Sequence, residues 1–123
     1  MALLTKEAIL AAPDLSTERV TVPEWGGEVL VRGLSGTERD AFEQDIVQLR
    51  REGKKTVTDT DLHNVRAKLV ARSIVDEKGA RLFEDGEIEA LGQKSALALQ
   101  RVFEVAQRLS GLTDEDVEEL AKN

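Results

Sequence analysis

Apolar residues recur along this chain at two different periods, and the change of period marks its elements. Ala8, Ile9 and Ala12 form a small apolar face behind Thr5, whose hydroxyl can cap a short helix over 6–11 before Pro13 ends it. From Glu18 to Arg32 the period drops to two. Val20 and Val22 alternate with Thr21, Val29 and Val31 alternate with Leu30, and Pro23-Glu24-Trp25-Gly26-Gly27 lies between. This pattern predicts a hairpin over 18–32, with the glycine pair supplying the left-handed backbone that a tight reversal needs. Two strands alone are marginal in water, so the hairpin must lean on helices, on further strands or on a partner.

Beyond the hairpin the period is helical. Ser35 followed by Glu38 reads as a capping box opening a helix over 36–51, in which Ala41, Phe42, Ile46 and Leu49 make one apolar stripe. Residues 52–60 read as an exposed loop, and Leu62, Val65, Leu69, Val70 and Ile74 predict a second helix over 60–75. A turn at Asp76-Glu77-Lys78-Gly79 leads to an apolar touch-down at Arg81-Leu82-Phe83, and Asp85 opens a brief helix that Gly92 closes. Leu99, Val102, Phe103, Ala106 and Leu109 give the strongest stripe, over 94–109, and Thr113 with Asp116 opens a terminal helix over 114–121. The expected fold class is therefore α+β: a predominantly helical single domain spanning 1–123 with a small N-terminal β-hairpin.

Composition narrows the function classes. With 123 residues the chain fits one domain, and with no cysteine it has neither disulfides nor thiolate metal ligands. The formal charge of -7 is shared by both halves, so nucleic acid is not an expected partner: binding would add repulsion where binders use a basic patch. Lys6 and Glu7 interrupt the apolar opening, which argues against a leader peptide or spanning helix; no membrane association is expected.

No catalytic motif emerges, and no enzymatic activity or cofactor is expected. Asp59, Asp61 and His63 have the spacing of an N/O ligand set, but at a helix start they spread around the axis. The turn at 76–79 lacks the alternating oxygen ligands of a calcium loop, and the glycines make no phosphate loop. Arg50, Arg51, Lys54 and Lys55 complement a helix C-terminus and lack interleaved aromatics. Trp25 is different. As the sole tryptophan, beside a reversal, it is suited either to cover the core or to anchor a partner. The candidate contact surface is the hairpin plus one face of the following helix: Trp25, Val29, Val31, Phe42 and Ile46.

The order of several blocks adds a family resemblance. Leu3-Leu4-Thr5, Val22-Pro23-Glu24-Trp25-Gly26-Gly27, Val29-Leu30-Val31-Arg32 and the run 34–43 (LSGTERDAFE) are followed by Arg66-Ala67-Lys68-Leu69-Val70-Ala71-Arg72 and Arg81-Leu82-Phe83. Glu89-Ala90-Leu91-Gly92, Phe103-Glu104-Val105-Ala106 and Leu109-Ser110-Gly111-Leu112 close the series. This arrangement resembles the tail assembly chaperones of long-tailed, non-contractile bacteriophages, and Pro-Glu-Trp-Gly-Gly is its most specific part.

The resemblance implies a non-enzymatic helper of the tape measure protein, made in the host bacterial cytoplasm and absent from the mature virion. It also implies a longer frameshifted form through which the tail tube protein is contacted; the ending at Asn123 looks like the complete short form. Self-association is a further expectation, because copies along a long partner gain from neighbour contacts. The alternative is a small head-tail connector or tail-completion protein retained in the particle.

Overall fold

The sheet is where the structure departs from the expectation. The computed structural model describes residues 2–51 and 59–113, with side chains from residue 2 to Gln44 and from Val65 to Thr113. Its helices are α1 (Lys6–Ala11), α2 (Gly36–Arg51), α3 (Asp59–Ser73), α4 (Ile88–Gly92) and α5 (Ala96–Leu109), and its strands are β1 (Thr17–Val22), β2 (Gly27–Arg32) and β3 (Ile74–Val75). The expected terminal helix over 114–121 lies outside the described residues.

The expected hairpin is part of a three-stranded antiparallel sheet in the order β1-β2-β3, so the chain is α+β with a sheet and five helices among the described residues. That corrects the reading of a predominantly helical domain carrying only a small hairpin. The error sits at Ile74 and Val75. Their apolar character fits the end of a helix extended to residue 75, but α3 stops at Ser73 and the two residues pair with Val31 and Leu30. Both are β-branched, a type that packs well on a pleated surface, and the ladder they complete is made with residues far away in sequence. The backbone then turns at Asp76, whose Oδ1 accepts from the amides of Lys78 at 2.8 Å and Ala80 at 3.0 Å, and Arg81 returns to bridge Val75.

The inward face of β1 and β2 carries Val20, Val22, Val29 and Val31, with Val20 directly opposite Val29. Against this face lies α5, and α3 packs in turn against α5, α4 and α2. Val22, Val31, Phe42, Leu69, Leu99 and Val102 are completely buried where these layers meet. Surface ion pairs fix how α5 sits across the hairpin: Arg108 to Glu18 at 2.8 Å and Arg101 to Glu24 at 3.1 Å. Exposed pairs of this kind are worth at most about 1 kcal/mol each, so apolar burial holds the layers together and the pairs set their register.

The junction between β2 and α2 is tied more tightly. Ser35 Oγ accepts from the Glu38 amide at 3.2 Å, and Glu38 Oε1 accepts from the Ser35 amide at 2.9 Å, completing the capping box. Both Glu38 oxygens also accept from Arg32 Nη2, and Arg32 Nη1 donates to the Gly79 carbonyl at 3.1 Å. One carboxylate thus starts α2 and orients the arginine that holds the β3 turn. Replacing Glu38 with alanine removes both jobs and should cost about 2 kcal/mol, read as a lower urea midpoint at unchanged slope. Glu38→Gln, which keeps an acceptor for the Ser35 amide, should lose less.

Candidate partner-binding groove

Proline lacks the amide that a ladder needs, so Pro23 ends β1 and the chain makes a single 3-10 turn over Pro23–Trp25. Gly26, at φ 74, takes the left-handed conformation and donates to the Pro23 carbonyl at 3.1 Å, which returns the chain to β2. This turn swings Trp25 off the end of the sheet. The neighbouring Glu24 is held on α5 by Arg101, so the turn is fastened to the helix beneath it.

The opposite wall comes from the segment between β3 and α5. Arg81 is fixed by its bridge to Val75 and by an ion pair to Asp85 at 3.0 Å, which places Phe83 beside the core. Glu84 and Glu87 form a second capping box, in which the Glu87 carboxylate accepts from the Glu84 amide at 2.9 Å. The helix that follows presents Ala90 and Leu91. Between the two walls lies an open, mainly apolar groove of about 550 Å³, floored by Trp25, Phe83, Ala90 and Leu91 and rimmed by Glu24, Glu87 and Lys94.

Trp25 is half-buried, packing against the core on one side and lining the groove on the other. The sequence offered core cover and partner anchor as alternatives; the geometry shows Trp25 packed against the core and bordering the groove. The other candidate residues lie elsewhere. Val31 and Phe42 are completely buried and present no side-chain surface in the folded chain, because both face the centre of the packed layers. Val29 is half-buried opposite Val20 on the inward sheet face. Ile46 belongs to α2, and its side chain lies outside the described residues. Phe83, Ala90 and Leu91 were not among the candidates. The sequence signals for them were the apolar touch-down at 81–83, the brief helix closed by Gly92 and the block Glu89-Ala90-Leu91-Gly92, and nothing local indicates that these meet Trp25, nearly sixty residues before Phe83.

Among the described residues no group of three histidines or carboxylates could hold a metal ion, and no helix is long and apolar enough to cross a membrane. Asp59, Asp61 and His63 fall in the opening turns of α3, with side chains outside the described residues. The described surface offers a mainly apolar groove.

Residues 5–123 match the family model described as phage tail assembly chaperone. The chain belongs to the phage tail assembly chaperone family. The solved structure of the bacteriophage HK97 tail assembly chaperone has the same fold, with a TM-score of 0.58 and 22% identity over 93% of this chain and 91% of that one. No curated protein sequence matches the chain. Membership spans the hairpin, the groove and the helices alike, so the groove is built from the family's own domain and not from an appended segment.

Proposed function

We propose that this tail assembly chaperone acts without catalysis, binding the tape measure protein through the Trp25 groove and keeping it soluble while the tail tube assembles. It works in the host cytoplasm and leaves before the virion is complete. The observation that carries this reading is the groove itself: a solvent-open apolar channel with an aromatic on each side, in a chain of net charge -7. Such a channel suits the apolar stripe of an amphipathic helix, whose anchors recur every three or four residues. A tape measure chain displays helical apolar surface before it is enclosed, and an acidic exterior on the bound chaperone keeps the complex dispersed.

Ala90 gives a clean test because it lines the groove yet is exposed, so a charge there need not disturb the core. Co-expressed with the tape measure protein, the wild type should be recovered in a soluble stoichiometric complex. Ala90→Glu should fold normally and capture at least about tenfold less, which corresponds to about 1.4 kcal/mol of binding free energy. Undiminished capture by a folded Ala90→Glu variant would contradict the groove as the binding site. Purified virions should lack the chaperone; a fixed copy number in the particle would favour a connector instead.

A further inference from the structure

The charges on the rim of the groove are not equivalent. On the hairpin side both oxygens of Glu24 accept from Arg101 Nε, at 3.1 Å and 3.2 Å, so that charge is already matched. On the opposite wall a 3-10 turn over Asp85–Glu87 leads straight into α4, and Glu87, Ala90, Leu91 and Lys94 all line the groove. Their offsets of three, four and seven residues are those of one helical face. The wall therefore has an acid at one end, two apolar side chains in the middle and a base at the other end. At the rise of a helix, seven residues put the two charges about 10 Å apart, or about two turns.

Both ends of the wall are held in place. The Glu87 amide donates to the Glu84 carbonyl at 2.9 Å, and its carboxylate accepts from the Glu84 amide. At the other end the Lys94 amide donates to the Leu91 carbonyl at 3.0 Å, and the next residue, Ser95, caps α5 by accepting from the Ala98 amide at 3.2 Å. The backbone under Lys94 is thus fixed from both sides. Its ammonium is exposed and has no ion-pair partner among the described residues, although it borders an apolar channel.

We infer that the α4 wall selects its occupant by charge: the helix it accepts carries, beside its apolar stripe, a carboxylate that meets Lys94 and, two turns away, a cation that meets Glu87. The inference rests on reading the groove as a site for an amphipathic helix, and it states which helices of a long partner the groove takes. Apolar stripes resemble one another, so the charges flanking them distinguish one helix from the next. A docked helix removes water from the wall, where a matched charge is stabilised and a like charge is penalised. Because the two ends of the wall differ in sign, they also fix the direction in which the helix lies. The reversed orientation sets acid against Glu87 and base against Lys94.

The test uses the full-length chain and three synthetic helical peptides that share one apolar stripe and contain no tryptophan. Beside the stripe, seven residues apart, they carry one Glu and one Lys, two Glu, or two Lys. Affinities are read by calorimetry and by Trp25 emission at about 0.15 M salt, where attraction to the net charge of -7 is screened beyond about 8 Å. The wild type should bind the mixed peptide at least about fivefold more tightly than either like-charged one. Lys94→Glu breaks no ion pair of the folded chain and makes the wall acidic at both ends, so it should prefer the peptide with two Lys. Raising the salt to about 1 M should level these preferences. Equal affinity for the three peptides, or a Lys94→Glu variant that keeps the wild-type order, would overturn the selection by charge. The two readings fail separately. Equal binding that Ala90→Glu abolishes leaves the groove in place without selection, whereas binding that Ala90→Glu does not weaken, or no binding of any peptide, removes the groove and the selection together.

Discussion

Replacing Phe42 with alanine is expected to destabilise the domain by about 3–5 kcal/mol. The side chain is completely buried among the helices that back the sheet, so its removal leaves a cavity as well as losing the transfer free energy of an aromatic ring. Domains of this size are held by about 5–15 kcal/mol, and the variant should lose a large fraction of that. The measurement is the urea midpoint and the thermal midpoint, both lower. A partner-contacting Phe42 would behave oppositely: its loss would leave the midpoints in place and weaken capture. The experiment therefore separates the core role seen in the structure from the contact role that the apolar stripe of α2 suggests.

The second large effect arises from a residue with no side chain. Gly33 passes beneath the last turn of α5, where an added Cβ would overlap the Leu109 carbonyl oxygen and lie 2.9 Å from its carbonyl carbon. Backbone cannot yield as a flexible side chain does. Next to this contact the Leu34 amide donates to Ser110 Oγ at 3.0 Å, and the Ser110 amide donates to the Ala106 carbonyl, so α5 is fixed on the β2–α2 junction at the point of closest approach. Gly33→Ala should cost about 3 kcal/mol and lower the thermal midpoint by roughly 10 °C. Gly36→Ala provides the contrast, because nothing lies within 4 Å of a Cβ there and the residue opens α2; it should be neutral or gain up to about 1 kcal/mol. Equal effects at the two positions would contradict the close approach of α5.

Why some of this was legible in the sequence and some was not follows from where the deciding interactions lie. The capping box at Ser35 and Glu38 is complete within four residues, and the reversal at Gly26 needs only a proline and, three residues on, a glycine. Local chemistry settles such features. Ile74 and Val75 differ because their strand pairing is decided by β2, more than forty residues earlier, and no local pattern reports that partner. The site divides in the same way. Trp25 stands out by type, but Phe83 and Ala90 acquire their role only when the segment after β3 folds against the hairpin turn. Val31 and Phe42 share the apolar character of contact residues, and periodicity cannot tell a stripe that faces the core from one that faces a partner.

Trp25 is the sole tryptophan of the chain and a wall of the groove, so its fluorescence reports directly on whether a partner enters there. The deciding measurement is its emission during titration with tape measure fragments that contain no tryptophan, alongside complex formation followed by mass. A helix seated in the groove should shift the emission to shorter wavelength in proportion to the complex formed, and Ala90→Glu should abolish the shift. A stoichiometric complex that forms while Trp25 emission stays unchanged would place the partner elsewhere and contradict the account.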